Sequence, residues 1–193
     1  MGIIVPEQRK IANKYKSLDL KDVQKLLDSK IHEERLVALF ILVDKYAKAE
    51  EKEKKDIFDF YLRNTQKINN WDLVDLSAHK ILGEYLSDKD RSIIYKLAKS
   101  ENLWERRIAV LTTFRFIKNS QFEDALKIGE FLLKDKHDLI HKAVGWMLRE
   151  IGNRDQKTEE EFLMKYYKVM PRTMLRYAIE KLDDKKRKFY LKK

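Results

Sequence analysis

The sequence NNWDLVDLSAHKILGEYL occupies residues 69–86 and combines a helical apolar pattern with a carboxylate at its edge. At about 100° per residue, one face of a helix over this stretch collects Val74, Ala78, Ile81 and Tyr85, with Leu82 and Trp71 beside them. Asp75 lies at the edge of that stripe, one turn after Trp71. The indole and the carboxylate are therefore expected to project from the helix as neighbours.

This pair admits two interpretations. A carboxylate on a helix with little polar surface is costly unless something compensates for its charge. In the structural interpretation, Trp71 belongs to the core, because aromatic stripes are usually buried, and Asp75 is partly solvated or pairs with a neighbouring Lys or Arg. In the functional interpretation, the indole and the carboxylate belong to a site.

The composition indicates an almost wholly helical protein. Of its 193 residues 38% are charged, whereas Gly (5) and Pro (2) are scarce. No apolar run approaches the roughly 18 residues of a membrane span, and the first residues lack a signal-peptide core. We therefore expect a cytoplasmic protein without membrane contact. With no cysteine, disulfides, thiolate metal sites and cysteine nucleophiles are excluded.

The formal net charge of +10 favours a polyanionic partner, with nucleic acid first and acidic membrane surfaces second. Solubility alone is the competing explanation for such an excess of positive charge.

An alanine recurs within successive apolar helical segments at intervals of roughly 31 to 40 residues. The positions are Ala38, Ala78, Ala109, Ala143 and Ala178. Helix pairs of that period predict an all-α fold, a HEAT-like α-solenoid in which the second helices line a concave basic groove. We expect one domain over residues 1–193 with a basic tail at 183–193. A compact helical bundle is the competing fold.

Arg107 interrupts the apolar side of the predicted helix 102–118, between Leu111 and Phe114. A guanidinium in that place needs an anion, because an unpaired buried charge is prohibitive. The partner is either an internal carboxylate, such as Asp75 or Glu84, or a phosphate bound through two parallel hydrogen bonds.

Trp146 lies about 120° from the centre of the core stripe of the predicted helix 138–151. It shares that flank with Lys142 and Arg149. An indole between two cations suits a surface that stacks on a base or sugar while the cations bind phosphates. Cation–π packing of a partly exposed tryptophan is the structural alternative.

Other catalytic signatures are missing from the sequence. There is no Ser/His/Asp order, no glycine-rich phosphate loop, and the four histidines lack metal-ligand spacing. We therefore expect no cofactor and no metal, and any hydrolysis would depend on a carboxylate and electrostatics alone.

Three ordered motifs carry a family resemblance: WDLVD (71–75), WERR followed by an apolar run (104–107) and KAVGWMLRE (142–150). Together they resemble the AlkD-type DNA alkylation repair glycosylases, built from HEAT-like repeats. The opening IIVPEQRK is also similar to a segment near the N-terminal end of that family. The resemblance spans nearly the whole chain.

The resemblance implies excision of purines alkylated at N3 or N7 from duplex DNA by a monofunctional glycosylase, without a base-flipping pocket. It implies that Trp71 and Trp146 cradle the lesion-bearing backbone and that Asp75 is the catalytic carboxylate. It further implies that Arg107 contacts phosphate, with Arg149 as a weaker candidate. We expect a monomer.

Family members carry further helices before the segment that matches IIVPEQRK. From this departure we expect the first helix pair to expose apolar surface and to lose some DNA contacts. A related inactive branch lacks the catalytic residues, which this sequence keeps.

A function from another class remains open, a non-catalytic HEAT-like scaffold that binds nucleic acid or an acidic protein. Asp75 argues against it, because an acid that lines a DNA groove repels phosphate and serves no purpose in a scaffold.

Overall fold

In this computed structural model residues 2–192 are described, and every regular element in that range is a helix. The predicted all-α class is therefore confirmed. The chain divides into two compact units that meet at Asp90 and Arg91. The prediction of one domain over residues 1–193 stays a prediction, and its end residues Met1 and Lys193 lie outside the described residues.

Within residues 2–90 the first unit contains six α-helices, joined by short turns. They are α1 Val5–Lys14, α2 Leu20–Leu27, α3 His32–Lys48, α4 Glu51–Arg63, α5 Trp71–Asp75 and α6 Ala78–Tyr85, with a 3-10 helix at Thr65–Lys67. Helix α3 packs against α1, α2 and α4, and α4 packs against α6.

The second unit contains seven α-helices in the described range. They are α7 Ser92–Ala98, α8 Leu103–Lys118, α9 Glu123–Phe131, α10 Asp138–Gly152, α11 Gln156–Tyr166, α12 Arg172–Ala178 and α13 Asp184–Leu191, with 3-10 helices at Leu132–Lys134 and Ile179–Lys181. Helix α10 is central, because it packs against α8, α9, α11 and α12.

The alanines that marked the predicted repeat are all buried. Each is at most 1% exposed and lies in a different helix: Ala38, Ala78, Ala109, Ala143 and Ala178. A small side chain allows a neighbouring helix to approach closely, which explains why alanine recurs at these places.

The N-terminal helices follow the sequence signals closely. Pro6 lies in the first turn of α1, and Asp19 caps α2 by accepting a hydrogen bond from the Asp22 amide at 2.8 Å. Four apolar side chains of this region are exposed: Ile4, Val5, Ile11 and Tyr15. A cavity of about 410 Å³ with nearly apolar walls lies between α1, α2 and α3.

The predicted single helix over residues 69–86 is wrong in one respect, because it is broken after Asp75. Ser77 leaves helical geometry with φ −126° and ψ −44°, and α6 begins at Ala78. The Ser77 hydroxyl is buried and donates to the Leu73 carbonyl at 2.5 Å. Such a bond from serine to a carbonyl one turn earlier slightly destabilises and often bends a helix.

The predicted basic tail is ordered as a helix over most of its length. Asp183 caps α13 by accepting from the Lys186 amide at 2.9 Å, and Tyr190 is buried. No helix within residues 2–192 is long and apolar enough to cross a membrane.

Helix α10 approaches α12 so closely that position 145 admits no side chain. A Cβ on Gly145 would lie 2.4 Å from the Met174 carbonyl oxygen and 2.6 Å from the Tyr177 Cβ. The backbone of α12 would have to move to accommodate it. The glycine of the KAVGWMLRE motif therefore sets the spacing between these two helices.

Gly145→Ala is expected to lower the free energy of unfolding by about 1–3 kcal/mol, because the added methyl group overpacks the contact between α10 and α12. The measurement is urea unfolding followed by circular dichroism. Gly129→Ala is the matched control, since a Cβ there meets Val144 Cγ1 at an ordinary 3.4 Å. Equal stability of the two variants would contradict the close-approach explanation.

Candidate functional site

Helix α5 carries the first two candidate residues at its two ends. Trp71 is its first residue, and the Asn70 side chain accepts a hydrogen bond from the Trp71 amide at 2.7 Å. The Trp71 side chain is not core, since the residue is 54% exposed. Asp75, the last residue of α5, is half-buried. The interpretation that places Trp71 in the core is therefore wrong.

A buried hydroxyl pair fixes the end of α5. The Ser77 proton is used on the Leu73 carbonyl, so the Tyr61 hydroxyl donates to Ser77 Oγ at 2.9 Å. Burial raises the pKa of Tyr61, and the negative charge of Asp75 raises it further. Tyr61 therefore stays protonated and remains a donor at neutral pH, and the carboxylate of Asp75 lies close enough to influence it.

A second contact holds α5 against α3. His32, the first residue of α3, places Nε2 at 2.7 Å from Oδ2 of Asp72. The other carboxylate oxygen of Asp72 accepts from the Leu73 amide at 2.9 Å. Asp72, which follows Trp71 in the sequence, thus connects the backbone of α5 to the start of α3.

Arg107 lies on the buried side of α8, as predicted, with 5% of the residue exposed. Its Nη1 donates to the Leu139 carbonyl at 2.5 Å. This bond joins α8 to the first turn of α10. A guanidinium carries five donors in one plane, so a bond to a carbonyl is compatible with further bonds to an anion.

Trp146 stands beside the core stripe of α10, as its pattern predicted. The stripe residues Ile140, Ala143, Val144, Met147 and Ile151 are buried, whereas Trp146 is half-buried. Its Nε1 donates to Oε1 of Glu150 at 3.2 Å, and its ring centroid lies 5.6 Å from that of Phe114.

The two cations predicted to flank Trp146 are paired with carboxylates. Lys142 Nζ lies 2.7 Å from Oδ2 of Asp138, one turn earlier on α10. The lysine lowers the pKa of Asp138, and Asp138 in turn raises the pKa of Lys142. Arg149 donates from Nη1 to Glu180, in the 3-10 helix after α12. In the described part of the chain the cations stacked on rings lie over Phe and Tyr, so cation–π packing of Trp146 is not observed.

The structure thus places Trp71 and Asp75 together in the first unit, and Arg107, Lys142, Trp146 and Arg149 on α8 and α10 of the second. Sequence reasoning missed the supporting residues His32, Asp72 and Ser77. The i,i+4 spacing of Asp138 with Lys142 was a visible signal of their pairing. Within residues 2–192 no three His, Asp or Glu side chains lie together as a metal site.

Stacked helical units that pack against their neighbours in sequence are typical of the helical-repeat proteins. The family to which this chain belongs is that of the DNA alkylation repair enzymes, whose model matches residues 1–182. No match is found among curated proteins.

Three solved structures share the fold. A predicted DNA alkylation repair enzyme from Enterococcus faecalis is 17% identical, with a TM-score of 0.71 over 95% of this chain and 88% of the other. AlkD2 from Streptococcus mutans is 22% identical, with a TM-score of 0.66 over 95% and 92%. The protein smu.31 from Streptococcus mutans UA159 is 23% identical, with a TM-score of 0.62 over 93% of each chain. These similarities confirm the predicted helical-repeat fold class.

The hydroxyl pair at the end of α5 can be tested by a double-mutant cycle. Ser77→Ala leaves the buried Tyr61 donor without its acceptor, and we expect a loss of about 1–3 kcal/mol in the free energy of unfolding. In the double variant with Tyr61→Phe this penalty is largely removed, so we expect a coupling of about 1 kcal/mol. The measurement is urea unfolding of the four proteins, and strictly additive losses would contradict the pairing.

Proposed function

We propose that this protein is a monofunctional DNA glycosylase that hydrolyses the N-glycosidic bond of purines alkylated at N3 or N7 in duplex DNA. Family membership supports a role in DNA alkylation repair. The observation that carries the finer proposal is the pair on α5, a half-buried carboxylate one turn from an indole that is 54% exposed.

The chemistry requires little beyond that pair. A purine alkylated at N3 or N7 is cationic, so its glycosidic bond is already weak and the base leaves with the bonding electrons as a neutral molecule. The sugar then develops an oxocarbenium-like positive charge. The Asp75 carboxylate stabilises that charge and orients the water that attacks the anomeric carbon, and the added water then releases one proton to the solvent to complete the hydrolysis.

The two indoles have a complementary task. Trp71 offers an exposed ring at the start of α5, and an aromatic face attracts a cationic sugar or base. For Trp146 we assign the same role on α10, where it is half-buried and held by Glu150. In this proposal the indoles hold the lesion-bearing backbone, and the base does not enter a pocket.

Arg107, Lys142 and Arg149 are the proposed phosphate contacts on α8 and α10. Lys142 and Arg149 are bound to Asp138 and Glu180, both at partly exposed positions, so that a phosphate would replace a carboxylate as their partner. Arg107 is assigned as the phosphate contact on α8, where a bond to the Leu139 carbonyl holds its guanidinium and where arginine can bind phosphate through parallel hydrogen bonds. The proposed reaction needs one copy of the chain, and access to DNA fits the cytoplasmic location expected from the sequence.

The net charge of +10 favours a second candidate function, a non-catalytic scaffold for nucleic acid or an acidic protein. Such a scaffold catalyses no reaction, so the loss of Asp75 would remove no activity from it. The two functions therefore differ in what the carboxylate does.

Asp75→Asn keeps the shape of the side chain and removes its charge. We expect the rate of alkylpurine release at saturating DNA to fall by about 10²-fold or more, the scale of one preorganised electrostatic contact. Binding to the same duplex should be equal or tighter, because repulsion of phosphates is relieved. The measurement is detection of free base from methylated DNA, together with a binding titration.

Asp44→Asn is the control, since Asp44 lies in the same unit but pairs with Lys48 on α3. It should leave base release unchanged. If the Asp75 variant releases base at the wild-type rate per folded molecule, the catalytic role of Asp75 is wrong. If the unaltered protein binds methylated DNA but releases no base, the scaffold function replaces the glycosylase.

A further inference from the structure

Helix α13 presents a row of cations without anionic partners. Lys185 and Lys188 lie within α13, and Lys192 is the residue that caps its end. Their spacing of i, i+3 and i+7 is the one that places residues on the same side of a helix. All three are exposed, and none forms an ion pair within the described residues. This is a solvated row of three positive charges along one element.

The remaining charges of α13 have a structural task. Lys186 pairs with Glu160 of α11, and Arg187 Nη1 lies 3.6 Å from Oδ1 of Asp184. The cations of α13 therefore fall into two sets. One set attaches the helix to the protein, and the other faces the solvent.

Aromatic packing fixes the position of the row. Tyr190 is 3% exposed, and its ring centroid lies 5.4 Å from that of Tyr167. The ring of Phe189 lies 5.7 Å from the same tyrosine. A cation row on a packed helix loses less conformational freedom on binding than one on a flexible tail.

Two cations from outside α13 extend the row. Lys168 is exposed beside Tyr167, with its Nζ 5.9 Å from the ring centroid. Arg172 is exposed and directs Nη1 and Nη2 toward the Leu191 carbonyl at 3.4 Å, near Lys192. We call these five residues the α13 surface: Lys168, Arg172, Lys185, Lys188 and Lys192.

The α13 surface adjoins the candidate site of the second unit through one short element. The 3-10 helix Ile179–Lys181 contacts both α10 and α13, and its Glu180 is the partner of Arg149. The family match ends at residue 182, so α13 lies beyond it.

From these observations we infer that the α13 surface binds the phosphate backbone of the DNA outside the lesion. The inference rests on the proposed function, because it takes the same duplex as its ligand. The helical rise of about 1.5 Å per residue gives the lysine row a length of about 10 Å, which matches about three phosphates of one strand at 3.4 Å each. Phe189 alone is a large exposed apolar side chain on α13 in the described range, which disfavours an acidic membrane as the partner.

The test uses the full chain with Lys185→Gln and Lys188→Gln combined. Binding to undamaged duplex DNA is measured from 50 to 200 mM salt. Each lost phosphate contact reduces the magnitude of the slope of log K against log salt by about 0.9, so we expect a reduction of about 2. Release of alkylated base at saturating DNA should equal that of the unaltered protein, because these lysines do not touch the reacting atoms.

Lys134→Gln with Lys136→Gln is the matched control, since both are exposed, lack ion pairs within residues 2–192 and remove the same charge. An unchanged slope for the α13 variant, or a slope equal to that of the control, would overturn the inference. The inference would also be overturned if the α13 variant lost binding to phosphatidylserine vesicles while its binding to DNA stayed intact. Lys188→Glu provides a second variant, with an expected slope change larger than that of Lys188→Gln.

The slope and the base-release assay separate the two claims. A protein that binds DNA with a reduced slope in the α13 variant, but releases no base, supports the α13 surface and refutes the glycosylase. A protein that releases base and has the same slope in all variants refutes the α13 surface alone. Absence of any DNA binding refutes both.

Discussion

The buried hydroxyl of Ser77 makes two hydrogen bonds just beyond the end of helix α5. Its proton is committed to the Leu73 carbonyl, and its lone pair receives the Tyr61 proton, at the point where the helix is broken. Helix α5 is therefore only five residues long, with Trp71 at one end and Asp75 at the other. The bond between Asp72 and His32 attaches the same turn to α3. A short, doubly fastened helix thus holds an exposed indole and a half-buried carboxylate in fixed relation, as preorganised electrostatic catalysis requires.

The cations of the chain differ in how readily they could bind an anion, because some are paired with carboxylates and others are not. Lys142 and Arg149, beside Trp146, are neutralised by Asp138 and Glu180. Any phosphate that binds there has to displace a carboxylate, which reduces its net gain. The lysines that face solvent on α13 have no such competitor within the described residues. Under the proposed function, positioning at the lesion would depend on a few exchangeable contacts, and general affinity for the backbone would depend on the α13 surface.

Sequence reasoning predicted the helical class, the buried alanines and the sides of α8 and α10 on which Arg107 and Trp146 lie. Periodicity suffices for these, because burial follows from helix geometry. It failed at Ser77, where the helix is broken and the buried hydroxyl bonds to Tyr61, 16 residues away in sequence. It also failed to foresee the pairing of Arg149 with Glu180, 31 residues apart. Contacts of that range depend on tertiary packing, which no local pattern encodes.

The central claim is that Asp75 acts on positive charge, so that the chain hydrolyses only glycosidic bonds whose base is already cationic. The most direct measurement compares two duplexes that differ at one site, N7-methylguanine in one and hypoxanthine, a neutral purine, in the other. We expect release of N7-methylguanine at a rate well above that of its spontaneous loss, and no release of hypoxanthine, because a carboxylate has no proton to give to a neutral leaving group. Release of both bases at similar rates would contradict the account.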